Sequence, residues 1–330
     1  MYAHGDNYGH GFVKKIVIDP EGKELTPLIF PAQIAQAEGR SAGAIAMAEM
    51  VEAGGRHWWV GEDAGRLGSP RVLLSQDRLT DPVFIPALAL AAQSRLGLDS
   101  ESMGGFCVTG LPGSWAEDES LCQQLFERIK AALPGFYDKV VVISEQEALA
   151  YCLMLDNDGE LTGDPRYREG RGLAIDLGHH TDDTGKLDKA RRVRGSFRTY
   201  PTGMARALVQ LKDILIARFD RDFSLHEADQ AIRDGFVILG GGRRVQLPTH
   251  WDRSLIENAE ALVNSLQLDY GKGNDLDYAV LGGGGALQEI KVDRIRRVYS
   301  FAEVVDDPQF AIARGYARLA RRRAKAKAKT

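Results

Sequence analysis

The chain has only three cysteines, Cys107, Cys122 and Cys152, among its 330 residues. They lie far apart with no paired spacing. That excludes a disulfide framework and a thiolate metal site, and leaves buried structural thiols in a reducing compartment. No apolar run approaches the roughly 20 residues that span a bilayer, and the first residues lack the basic-then-apolar pattern of a secretory leader. A cytoplasmic protein without membrane contact is expected. Positive charge is not in excess either: the net value is −4, so nothing draws the whole chain to nucleic acid. The exception is the tail Arg321-Arg-Arg-Ala-Lys-Ala-Lys-Ala-Lys-Thr330, which contains no acid. It reads as a solvated helix end, with contact to DNA, an acidic protein or a membrane surface as the alternative.

Glycine is present where it matters. Gly172-Leu-Ala-Ile-Asp-Leu-Gly178 is a short apolar run ending in an acid and a glycine, followed by His179-His-Thr-Asp-Asp183. Tyr278-Ala-Val-Leu-Gly-Gly-Gly-Gly-Ala286 is a second apolar run, ending in four consecutive glycines. Each sets a tight turn, poor in side chains, directly after a buried strand. There backbone N–H groups can face phosphate oxygens with no Cβ in the way. Two such turns suggest a nucleotide held between two halves of the protein.

The length allows two domains with separate cores. In the first half, strands are expected from Phe12 to Asp19 and from Leu25 to Phe30, preceded by a glycine-rich turn from Gly5 to Gly11. Residues 33–53 read as loop or weak helix. A helix follows from Pro82, capped by Asp81, then a strand from Gly105, a helix with Leu121, Leu125 and Ile129 on one stripe, and a β-branched strand from Lys139 to Ser144. The polar stretch 155–165 is the candidate boundary. The second half opens with the strand Leu173–Leu177 and a hairpin returning over Arg191–Tyr200. Helices, the strand Tyr278–Leu281 and a last helix over about 308–324 follow. Two related α/β domains are expected.

Asp176 ends a buried strand, where α/β folds bind ligands, and an acid beside phosphates needs a cation such as Mg²⁺ between them. Thr181 and Asp183 are expected on the adjoining turn. His179 and His180 are adjacent in extended chain, so they point to opposite faces and do not chelate together; a surface or phosphate-rim position is expected. The segment Asp6-Asn-Tyr-Gly-His-Gly-Phe-Val-Lys14 supplies an acid, two glycines and a lysine for a partner turn. Glu145 follows a strand and opens a helix. It is placed to orient or deprotonate a water, with Glu147 as competitor and a plain helix N-terminal acid as the alternative.

These pieces, together with Ser144-Glu145, Thr202-Gly203 and Leu281–Ala286, occur in an order that resembles the actin-like ATPase superfamily: actin, the heat-shock chaperone ATPases, sugar kinases and bacterial actin-like filament proteins. Trp59-Val-Gly-Glu-Asp-Ala64, Val108-Thr-Gly-Leu-Pro112 and Phe310-Ala-Ile-Ala-Arg-Gly-Tyr316 are most similar to the ParM/StbA plasmid-segregation group and its archaeal and phage relatives. The resemblance implies an α/β, ribonuclease H-like fold of duplicated domains, residues 1–170 and 171–330, around a nucleotide cleft, the last helix crossing back to the first domain. It implies ATP and ADP as ligands with Mg²⁺, ATP hydrolysis, head-to-tail self-assembly, and DNA segregation through a DNA-binding adaptor. By position, Asp6 and Asp176 would flank the magnesium, and Gly9, Gly11 and Lys14 would hold phosphates. Glu145 would place the water, and Gly178, Thr181, Asp183 and Gly203 would form the second phosphate site. Gly282, Gly283, Gly284 and Gly285 would lie under the adenosine. Two departures stand out. The first turn is one residue longer than the family's Asp-x-Gly, so either Asp6 or Asn7 fills the acid's place, and His179 and His180 replace small residues. A small-molecule kinase, a non-polymerising ATP switch and a non-enzymatic scaffold are the rival readings.

Overall fold

The computed structural model describes residues 1–37, 49–97 and 104–328. Two sheets of one plan dominate. In the first, β1 (Tyr2–Tyr8), β2 (Phe12–Ile18) and β3 (Leu28–Pro31) form an antiparallel meander. A small antiparallel sheet of β4 (Ile34–Gln36), β5 (Met50–Ala53) and β6 (Arg56–Val60) stands beside it. Strands β7 (Gly105–Leu111) and β8 (Tyr137–Ser144) then add in parallel on the far side of β1, giving the order β3-β2-β1-β7-β8.

The second sheet repeats that order. Strands β9 (Arg171–Leu177) and β10 (Asp182–Asp188) form a hairpin, and β11 (Arg191–Arg192) and β12 (Arg198–Tyr200) both pair with β10. A separate hairpin, β13 (Phe236–Leu239) with β14 (Arg243–Gln246), lies apart. Strands β15 (Tyr278–Gly282) and β16 (Ala302–Val304) complete the sheet in parallel beyond β9.

Helices of eight residues or more are α1 (Phe84–Arg95), α2 (Glu119–Ala132), α3 (Glu145–Met154), α4 (Met204–Phe219), α5 (Leu225–Asp234), α6 (Arg253–Tyr270), α7 (Glu289–Arg296) and α8 (Ala311–Ala328). Their starts follow local chemistry. Asp81 Oδ1 accepts the Val83 and Phe84 N–H groups ahead of α1, and Ser224 with Glu227 makes a capping box at α5. The buried stripe of α2 is Leu121, Leu125 and Ile129. Among the described residues, no helix is long and apolar enough to cross a membrane.

Helices α3 and α8 join the two sheets. Helix α8 packs on β1, β2 and β7, while α3 reaches α8 on one side and β9 on the other. One core runs through both, taking Ala3 and Phe106 from the first sheet, Leu149 and Ala317 from the helices, and Ala174 and Val280 from the second sheet. The basic end of α8 is largely occupied. Arg321 donates to the Pro20 carbonyl, Arg322 to the Gly159 carbonyl, and Lys325 reaches Asp158 and Glu160 at 3.2 and 3.5 Å.

Three expectations change. Strand β1 continues through Gly5 to Tyr8 where a turn was expected, because the parallel partner β7 carries its pairing as far as Asp6 and the antiparallel partner β2 as far as Tyr8. The hairpin return is β10, Asp182–Asp188, one strand earlier than Arg191–Tyr200. Its sequence Asp-Asp-Thr-Gly-Lys-Leu-Asp has one large apolar residue, so hydrophobic pattern could not reveal it. Part of the segment read as loop or weak helix forms β4 and β5; residues 38–48 lie outside the described residues.

Candidate functional site

Pairing register decides which side chains share a face, since residues directly opposite in an antiparallel pair project to the same side and neighbours along a strand to opposite sides. In the first hairpin Asp6 pairs with Lys15 and Asn7 with Lys14. Asp6 and Lys15 therefore share one face, and they form a buried ion pair of 2.7 Å. Tyr137 also donates to Asp6, at 2.7 Å, as does Tyr8, at 3.2 Å. Burial opposes the Asp6 charge, yet Lys15 and His4 hold its carboxyl below the ordinary range. The other face carries Asn7 and Lys14.

That second face lines a cleft of about 1230 Å³, which also takes in Gly9, Gly11, Glu145, Asp176, Gly178, Thr181, Asp183, Gly284 and Gly285. Asp6 is absent from the lining. Asp6, expected beside a metal, pairs instead with Lys15 behind the strand, and Asn7 is the neighbour that faces the cleft. In the second hairpin Asp183 pairs with Asp176 and both face the cleft. Asp182 points the other way and is bound at 2.9 and 2.7 Å by the buried Lys291 ammonium. Each hairpin thus sets a buried aspartate–lysine pair one residue away from its cleft-facing group.

The two turns meet. A Cβ on Gly11 would stand 2.7 Å from the Cβ of His179, and the Phe12 and His179 rings lie edge to face at 5.7 Å. His180 continues this contact, with its ring 4.6 Å from that of His179. The four-glycine turn comes to the same place. Gly283 has φ of 82°, and a Cβ on it would lie 2.1 Å from Asp176 Oδ1. Gly282 packs against the Leu149 side chain and Gly203 against the backbone of His180 and Thr181, both behind the lining.

Helix α3 separates its two glutamates by capping. The Glu147 N–H donates to Ser144 Oγ at 3.2 Å and the Ser144 N–H donates to the Glu147 carboxylate at 3.1 Å, the two halves of a capping box, and the Ser144 hydroxyl donates to the same carboxylate at 2.8 Å. Glu145, one helical position from the cap, turns into the cleft instead, and Asn7 Nδ2 donates to its Oε1 at 3.3 Å.

Carboxylates crowd this cleft. Burial first, then repulsion from Asp176 and Asp183, pushes the Glu145 carboxyl well above its ordinary value. Burial likewise raises Asp176 to about 7, against the pull of Lys14. It raises Asp183 to about 6, although Thr199 and Thr181 donate to it at 2.6 and 2.7 Å. Burial lowers Lys14, while Asp176, Glu145 and Asp307 pull it back up. His179 falls to about 4, through burial and then its neighbour His180. Such a cluster favours whatever brings positive charge to it. Among the described residues, no group of three or more His, Cys, Asp or Glu side chains is arranged to hold a metal ion on its own.

By sequence, no family model and no curated protein matches the chain. By structure, the archaeal actin homolog Ta0583 in complex with ADP superposes with a TM-score of 0.71 at 19% identity, over all of both chains. ParM of Bacillus thuringiensis with ATP gives 0.67 at 16% identity, again over all of both chains. A subunit of a 15-stranded ParM filament from Clostridium botulinum gives 0.68 at 16% identity, over 97% of this chain and 98% of that one. The chain has the actin-like fold.

The actin-like fold explains the repeated sheet order and the exchange of α3 and α8 between the sheets. It does not by itself assign chemistry, which has to come from the side chains in the cleft. Sequence reasoning missed three buried side chains outside its lining that support it: Lys15 and Lys291, which pair with Asp6 and Asp182, and Arg78. Arg78 is 3% exposed and its guanidinium donates to the carbonyls of Tyr8 and Gly9 at 2.7 and 3.1 Å. A lone arginine in a polar stretch, remote in sequence from the turn it supports, carries no local signal.

Proposed function

We propose that the protein binds ATP with Mg²⁺ in this cleft, hydrolyses it, and assembles head to tail into filaments of the ParM kind that segregate DNA through an adaptor. The observation that carries the reading is the meeting of two glycine-containing hairpin turns, one from each sheet, over Lys14, Glu145 and Asp176. Backbone N–H groups of both turns and the Lys14 ammonium would hold the phosphates. Gly284 and Gly285 would lie along the adenosine. In this reading residues 1–170 and 171–330 are the two domains, with α8 returned to the first.

A magnesium ion suits the crowded carboxylates. Asp176 would hold it through water, the phosphates supplying the remaining oxygens, in keeping with an ion that gives up its waters reluctantly. Bound there, it would neutralise phosphate charge. Glu145 would orient and deprotonate a water, whose oxygen bonds to the γ-phosphorus as the bond to the β-phosphate oxygen breaks. Closure of the cleft on ATP would favour the assembling shape, and a heterologous contact would extend it into an open filament. The ADP, ATP and filament named for the three similar structures support this reading.

Pelleting with ATP, ADP and a non-hydrolysable analogue, run beside phosphate release, tests it. The wild type is expected to pellet with ATP and release phosphate. Glu145→Ala is expected to bind ATP, lose roughly 100-fold or more in turnover and give longer-lived filaments. Phosphate release with no assembly at any protein concentration would remove the filament half of the reading. Unchanged turnover in Glu145→Ala would remove the assigned base.

A further inference from the structure

Beside the main cleft, and sharing Gly9, His10 and Glu145 with it, lies a second cavity of about 10 Å³ whose lining also includes Arg78, Gly110 and Trp115. That is about the room one water molecule requires. Two of its walls carry unusual polar groups. His10 Nε2 is enclosed and has no hydrogen-bond partner, its ring held edge to face against Trp115 at 5.3 Å. Whichever ring nitrogen carries the proton, a buried imidazole nitrogen left alone is costly. Arg78 is a buried cation that bonds the Tyr8 and Gly9 carbonyls through Nη2. Glu145 is the acid whose charge acts on it.

We infer that this cavity holds one ordered water bridging Glu145, His10 Nε2 and Arg78, which makes His10 and Arg78 positioning residues for Glu145. The inference rests on the reading of Glu145 as the group that handles the attacking water. Three polar partners are what a buried water ordinarily takes. Burial and then Arg78 push His10 down to about 3, so its ring stays neutral beside the guanidinium. Hydrogen bonds delivered to the Glu145 carboxylate favour its ionised form against burial. With Asn7 Nδ2 at Oε1, they fix the carboxylate from two sides. The first phosphate turn takes part as well, because Arg78 holds its backbone carbonyls and His10 belongs to it. A sliding of that turn would therefore be felt at Glu145.

The test is a double-mutant cycle on the full chain, with phosphate release and ATP affinity measured separately for the wild type, Glu145→Ala, His10→Phe and the double variant. His10→Phe keeps the packing on Trp115 and removes the nitrogen. It is expected to lower turnover roughly 10- to 100-fold while ATP affinity changes less than about twofold. His10→Gln, which keeps a polar terminus, should recover most of the rate. In the Glu145→Ala background His10→Phe should make no further difference, since its effect runs through the missing carboxylate. Wild-type turnover in His10→Phe, or two losses that multiply in the double variant, would overturn the inference. Should His10→Phe fail to bind ATP, Arg78→Lys takes its place in the cycle, and wild-type turnover or multiplying losses there would overturn the inference equally. Failure of the underlying reading shows separately, as unchanged turnover in Glu145→Ala alone.

Discussion

At the level of single residues, strand parity separates Asp6 from Asn7. Spacing along the chain leaves both as candidates for the first-turn acid, because the turn is one residue longer than expected. Pairing removes the ambiguity: Asp6 lies opposite Lys15 and Asn7 opposite Lys14, and only the second pair faces the cleft. Asp6→Asn should therefore act on stability and not on magnesium. It leaves Lys15, 1% exposed, without its counter-charge, and breaking one side of a buried pair costs about 3–5 kcal/mol. Denaturant titration should show a loss of that order, with the affinity of the folded protein for magnesium nucleotide unchanged. A variant of full stability that no longer binds the magnesium complex would return Asp6 to the metal. Glu145 and Glu147 are separated in the same way, by a cap that consumes one carboxylate, whereas sequence alone ranks them without deciding.

Among the elements, α3 and α8 show how a glycine can set the distance between two helices. A Cβ on Gly315 would stand 1.9 Å from the Ala148 carbonyl oxygen, a backbone atom that cannot turn aside. A Cβ on Gly5 would stand 2.0 Å from the Ala313 carbonyl oxygen of α8. Gly315→Val should push α8 off α3 and open the core that links the sheets, costing more than about 2 kcal/mol. Limited proteolysis would show it as early cleavage at the C-terminal helix, and a variant as resistant as the wild type would mean the contact has slack. Amphipathic helices such as α2 were readable because their stripe repeats on one side. Strand β10 was not, because its buried Asp182, Asp183 and Thr184 are satisfied by Thr202, Lys291, Thr199 and Tyr270, groups that lie 16 to 109 residues away.

Across the whole molecule, the acids from both halves converge in one cleft, and stability must respond to pH. Asp176 and Asp183 have folded-state values of about 7 and about 6, above the ordinary 3.8. Between about pH 4 and 7 the folded protein thus binds more protons than the unfolded chain, and the stability owed to this cluster falls as pH rises. Without nucleotide or magnesium, Asp176→Asn should melt a few degrees above the wild type at pH 8 and no higher than it at pH 4. Thermal scans at the two values check this. An equal gain at both would show that the substitution acts through packing and not charge.

The amino-acid sequence by itself determined the order of the amphipathic helices and of the apolar strands, and marked Lys14, Glu145, Asp176 and the two glycine-rich turns as candidates. Periodicity, capping residues and glycine act over a few neighbours, so they can be read along the chain. Only the tertiary structure decided that Asn7 and not Asp6 faces the cleft, that the polar run Asp182–Asp188 is an interior strand, and that Arg78 and His10 share a small cavity with Glu145. Each of these depends on which residue lies across a strand or beneath a turn, and partners of that kind are brought together by folding from far apart in sequence.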